Sequence, residues 1–176
     1  MSLPRAEPRD DVEFPRSIDL RQILAKPVAL EANPGERAAL ARRFALVRID
    51  RLEAELQLDV DGEAVNATGR LRAAIVQSCA ISGEDLPVAI DEPLTLRFVP
   101  EKPVAVEEIE LGEGELDEIP YAGHAFDLGE AVAQSLALAI DPYAVGPNAE
   151  RVRKQAGLLD EAAAGPFAAL AALKKS

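Results

Sequence analysis

Tryptophan is absent from this chain of 176 residues, and cysteine and histidine occur once each. A single thiol excludes an intrachain disulfide and a cysteine-only structural zinc site. Aromatic residues make up only 4%, so the core is expected from Leu, Ile, Val and Ala, and a row of stacking platforms for single-stranded RNA is lacking. No apolar run approaches the roughly 18 residues of a membrane-spanning helix. The opening MSLPRAEPRDD has no apolar stretch behind its charges, so no secretory leader is expected and a reducing, cytoplasmic setting is. The glycine-rich phosphate loops, the GxSxG elbow and the HExxH helix are all missing, so no cofactor is expected. An excess of positive charge is lacking too. The net charge is −12, which disfavours a simple basic clamp on nucleic acid, and no DNA partner is expected.

What is present is unevenly placed. Residues 1–51 carry 10 basic and 8 acidic side chains, residues 52–145 carry 4 and 20, and residues 146–176 carry 5 and 3. An acid block thus lies between two slightly basic ends. Inside it Glu107, Glu108, Glu110, Glu113, Glu115, Asp117 and Glu118 crowd together with Gly112 and Gly114. Like charges at this density repel and glycine adds chain entropy, so a solvated loop is expected over about 101–120. Its Glu107, Glu108, Glu110, Glu113 and Glu115 form a candidate docking strip for a basic protein, which such a field would steer toward the chain.

The length fits one domain, expected over 14–176 behind a flexible 1–13. Phe14 to Leu24 reads as a first strand or a short helical turn. Asn33-Pro34-Gly35-Glu36 reads as a helix start, with Asn33 as cap, Pro34 in the first position and Glu36 closing a capping box; the helix should reach Phe44 or Ala45. From Leu52 the pattern alternates. Leu52, Ala54, Leu56, Leu58 and Val60 share one face, as in a half-buried antiparallel strand. Asp61-Gly62 predicts a two-residue type I′ turn. The returning strand sets Val65, Ala67, Leu71, Ala73, Ile75 and Cys79 in one phase, with Thr68, Arg70 and Arg72 in the other. After Ser82-Gly83-Glu84-Asp85, a third strand carries Leu86, Val88, Ile90, Leu94, Leu96 and Phe98, with Pro87 and Pro93 at edge or bulge positions. Asp127 with Glu130 marks a second helix start, followed by Leu128, Val132, Leu136 and Ile140 at helical spacing and stopped by Asp141-Pro142. Asn148 caps a short third helix. A final helix over about 166–174 presents Phe167, Leu170 and Leu173, and at that length is marginal unless it docks. The fold class is α+β: an antiparallel meander, or a partly closed barrel-like sheet, covered by a few short helices.

Cys79 and His124 form a nucleophile pair only if the fold brings them within hydrogen-bond reach beside an orienting group. Cys79 ends a strand in its buried phase, where a free cysteine behaves as a small hydrophobe, and His124 reads as a loop side chain. No metal site is expected from one cysteine and one histidine. Arg37, Arg42 and Arg43, with Arg48 and Arg51 beyond them, Arg70 and Arg72, and Lys174 and Lys175 are the candidate RNA contacts.

Three ordered segments resemble the YceD family of large ribosomal RNA subunit accumulation proteins. They are Gly69-Arg70-Leu71 through Cys79-Ala80-Ile81-Ser82-Gly83 to Leu86, then Phe126-Asp127-Leu128-Gly129-Glu130 through Asp141-Pro142, then Gly165-Pro166-Phe167 through Leu170 and Leu173 to Lys174. Cys79, Asp127, Glu130 and Phe167 are the positions that carry the family pattern. The resemblance implies a cytoplasmic bacterial protein, or an organellar relative, that supports accumulation of large-subunit ribosomal RNA and has no established enzymatic activity. Many relatives carry Cys-x-x-Cys at the turn and further cysteines downstream, which implies a metal- and nucleic-acid-binding role for them. This chain departs from that pattern: Ser82 stands at the second position and no cysteine follows near Asp141 to Asp160. The expected partners are a basic ribosomal protein, large-subunit ribosomal RNA, or both. A generic protein-interaction module and a thiol-dependent enzyme using Cys79 are the alternatives.

Overall fold

The alternating segments build one long antiparallel meander. In the computed structural model, which describes residues 13–101 and 118–156, the strands β3 (Arg48–Asp61), β4 (Ala64–Ser78) and β5 (Asp85–Pro100) pair in sequence. The short β2 (Val28–Glu31) adds antiparallel to β3, and β6 (Glu118–Tyr121) adds parallel to the end of β5, giving the order β2-β3-β4-β5-β6. A two-stranded sheet joins β1 (Ser17–Asp19) to β7 (Ala125–Asp127). Three helices follow the expected positions: α1 (Pro34–Arg43), α2 (Leu128–Ala139) and α3 (Ala149–Gln155). The fold is α+β and the sheet is not closed, so the meander stands and the barrel-like alternative does not. Closure would require β2 and β6 to meet, and they sit on opposite margins.

Period-2 alternation does the sorting. Leu52, Leu56, Leu58, Val65, Leu71, Ile75 and Phe98 turn inward and are buried against Leu40 and Ala41 of α1 and Val132 and Leu136 of α2. Scarce aromatics concentrate here: Phe14, Phe98, Tyr121 and Phe126 are buried, and Phe98 stacks on Phe126 at 4.2 Å between centroids. Val60 departs from expectation. Although in the inward phase it is half exposed, since it lies at the end of β3 beside the turn at Gly62.

Both readings of Phe14 to Leu24 hold in succession, since β1 runs directly into a 3-10 turn at Leu20–Gln22. The β3–β4 turn is shifted by one residue. Asp61 pairs with Ala64, so Gly62 and Glu63 form the link, and only Gly62 (φ 65°) has a positive φ. One positive φ, at the first position, is the pattern of a type II′ turn rather than type I′. Pro87 and Pro93 occupy a free margin, because β6 pairs only with Arg97–Pro100. A missing N–H costs nothing there, and it guards an open edge against another strand.

The helix starts follow local chemistry. Asn33 accepts from Glu36 N while Glu36 accepts from Asn33 N, a complete capping box. Asp127 accepts from Glu130 N at 3.0 Å and from Arg16 N at 2.9 Å. Asn148 sits at the start of α3 but makes no side-chain cap; its amide donates to Glu84 instead. The α1 exit is a Schellman turn, with Leu46 N donating to Ala41 O and Ala45 N to Arg42 O. Ala45 takes φ 54° there, where glycine is usual.

Candidate nucleic-acid interface and the cysteine-bearing turn

Strand β4 delivers Cys79 into a tight turn beside the loop that follows α2. Its Sγ accepts from Gly146 N at 3.2 Å and Ser82 N at 3.4 Å, and its carbonyl accepts from Gly83 N at 2.9 Å. The N–H of Gly146, with those of the Ser82 turn, pulls the thiol pKa down to about 6, because donors aimed at sulfur favour the thiolate. Cys79 is only 3% exposed. Ser82 turns its hydroxyl to Glu84, which also accepts from Asn148 and lies 4.0 Å from Arg151. Buried Gln77 donates to Asp141 O at 2.8 Å. Polar contacts therefore join the β4–β5 turn to α3 and the preceding loop. Among the described residues no cluster of three or more His, Cys, Asp and Glu side chains is placed to hold a metal ion.

His124 is exposed between β6 and β7, and its carbonyl accepts from Leu20 N. It precedes α2, whereas Gly146, on Cys79, follows it. Twelve helical residues separate the two ends, a span of about 18 Å, so the histidine and the thiol are not brought together. A groove of about 830 Å³ between the free margin of β5 and α2 holds Ser135, whose hydroxyl donates to Ala131 O at 2.9 Å.

The candidate arginines separate into groups with different surroundings. Arg70 and Arg72 project from the exposed face of β4. The register sets them opposite Glu55 and Glu53 on β3, and Asp91 of β5 lies 2.6 Å from Arg70 and 3.9 Å from Arg72. The Arg70 guanidinium holds the Asp91 carboxyl below its ordinary pKa. Arg43 is spent on Glu130 at 2.7 Å and Glu13 at 3.0 Å. Its pKa is raised, chiefly by the hydrogen bond to Glu130, and it ties α1 to α2. Arg51 pairs with Glu53 at 3.3 Å.

Arg37 and Arg42 differ. With Arg48 of β3 they line a groove of about 250 Å³ between α1 and the start of β3, floored by Ala38, Ala41 and Leu46. Arg37 donates one Nη1 bond to Ala32 O at 2.7 Å. The Arg42 guanidinium is exposed and makes no ion pair or hydrogen bond with another described residue. Arg48 contacts Asp50 at 2.9 Å and Asp85 at 3.9 Å and is half exposed. The acidic strip Glu107, Glu108, Glu110, Glu113 and Glu115, the helix expected over 166–174, and Phe167, Lys174 and Lys175 lie outside the described residues, as does most of 1–13.

Sequence reasoning missed Arg16. It grips Glu36 with two bonds of 2.8 and 2.9 Å, donates to Glu31 O, and offers its own N–H to Asp127. One residue thereby joins the starts of α1 and α2. The local sequence carries no sign of this, since the partners are 20 and 111 positions away.

Fold and turn together define an α+β protein whose meander carries a cysteine-bearing, hydrogen-bonded turn between β4 and β5, beside the loop that follows α2. Residues 67–174 match the family model described as large ribosomal RNA subunit accumulation protein YceD, and the chain belongs to that family. The family name ties it to accumulation of the large-subunit ribosomal RNA. No match was found among curated proteins or among solved structures. Among the described residues no helix is long and apolar enough to cross a membrane.

Proposed function

We propose that this protein supports accumulation of large-subunit ribosomal RNA as a non-enzymatic binding factor in the cytoplasm, contacting a basic ribosomal protein, the RNA, or both. The observation that carries this reading is family membership over 67–174. The site geometry supports binding rather than thiol chemistry. Cys79 serves as an acceptor inside a turn, and His124 sits at the other end of α2. The Glu107–Glu115 strip supplies the charge for a basic protein, in a chain of net charge −12. Neutralising Glu107, Glu108, Glu110 and Glu113 should weaken capture of basic ribosomal proteins; undiminished capture removes the strip from the mechanism.

The direct test is a sucrose-gradient ribosome profile of cells depleted of the protein, with both ribosomal RNAs quantified. A selective shortage of large subunits and their RNA is expected. A normal ratio overturns the reading.

A further inference from the structure

The groove between α1 and β3 has an unusual lining for so acidic a chain. Its nine lining residues include Arg37, Arg42 and Arg48 and no carboxylate, in a protein with 31 acidic side chains against 19 basic. The carboxylates that do approach, Asp50 and Asp85, touch only Arg48 and from outside the groove. Along α1 the lining runs from Pro34 to Arg42, about 12 Å of helix, so the cations are spread along a channel.

Both walls are held before any ligand arrives. The capping box fixes the start of α1. The Schellman turn fixes its exit, and Val47 N donates to Val76 O at 2.9 Å, anchoring the opposite wall to β4. That turn relies on Ala45 at φ 54°, the one non-glycine residue with positive φ among the described residues. A left-handed alanine is strained, and such strain persists where surrounding structure enforces it.

We infer that the Arg37–Arg42–Arg48 groove is a binding site for the phosphate backbone of RNA. The inference rests on the reading above and gives it a location. Guanidinium forks match phosphate oxygens with two parallel bonds. Arg37 keeps most of its donors after its single bond to Ala32, and Arg42 keeps all of them among the described residues. No aromatic side chain lines the groove, so bases have nothing to stack on and the contact follows the backbone, independent of sequence. Arg43, Arg70 and Arg72 are assigned elsewhere, because none of them lines this groove and Arg70 and Arg72 line one that also holds Glu31, Glu53 and Glu55.

The test uses the full chain and a labelled oligouridylate, with affinity measured across a salt series. Single strands lose about 0.7 in the slope of log affinity against log salt for each phosphate contact removed. The triple variant Arg37→Gln, Arg42→Gln, Arg48→Gln should therefore flatten the slope by about 2, while Arg70→Gln with Arg72→Gln leaves it in place. A thermal melt checks that both variants fold; if the triple variant does not, the three single variants should each flatten the slope by about 0.7. An unchanged slope, or a wild-type chain that does not bind the oligouridylate, overturns the inference. So does a variant that binds RNA normally yet loses a ribosomal protein, since the groove then serves a protein. A depletion profile with normal large subunits would instead overturn the functional reading, and the salt slope would still judge the groove.

Discussion

Two sets of arginines in this protein look alike in sequence and differ in space. Arg70 and Arg72 lie on a strand, and the antiparallel register brings Glu53, Glu55 and Asp91 across from them. Arg37, Arg42 and Arg48 lie at a helix–strand junction, where no carboxylate lines the groove and only Arg48, itself on β3, meets Asp50 and Asp85 outside it. Cross-strand neighbours sit about 5 Å apart, and opposite charges there attract, so the sheet neutralises its own cations. A helix packed beside a strand imposes no such pairing. The number of arginines therefore says less about a surface than the element that carries them.

The largest expected effect comes from breaking the register. A Cβ on Gly69 would lie 1.9 Å from the Glu55 carbonyl oxygen, where backbone must move. Gly69→Ala should cost about 1–3 kcal/mol and lower Tm by several degrees; an unchanged Tm would mean that β3 and β4 do not need this close approach. Neutralising the partners tests the pairing itself. With Glu53→Gln, Glu55→Gln and Asp91→Asn, the freed Arg70 and Arg72 should steepen the salt slope of oligouridylate binding by about 1.4, at 0.7 per contact. An unaltered slope would show that position, rather than pairing, keeps this face from RNA. The smallest effect concerns the groove wall. Ala45→Gly relieves a left-handed alanine and should stabilise the fold by about 1 kcal/mol in a denaturant titration, with RNA binding retained. A loss of stability would mean that the turn is not strained.

What the sequence made legible is local. Asn33 and Glu36 are three residues apart, and their capping box formed as read. Asp127 caps α2 as read, accepting from Glu130 N. Alternation from Leu52 assigned the inward face because a pleated strand has a period of two, and along β3 it failed at Val60, beside the turn that ends the strand. The missed features join distant positions: Arg16 to Asp127, Arg43 to Glu130 and Cys79 to Gly146 are 111, 87 and 67 residues apart. For the same reason the sequence grouped Arg37, Arg42, Arg43, Arg48 and Arg51 together, whereas the fold turns Arg43 toward α2 and leaves Arg37, Arg42 and Arg48 in the groove.

The most direct measurement of the central claim is a ribosome profile of depleted cells complemented in turn with the wild type, the Arg37→Gln, Arg42→Gln, Arg48→Gln variant and the Arg70→Gln, Arg72→Gln variant, each expressed to the same level. The account predicts that the wild type and the strand-face variant restore large subunits and their RNA, while the groove variant does not. Full restoration by the groove variant would contradict it.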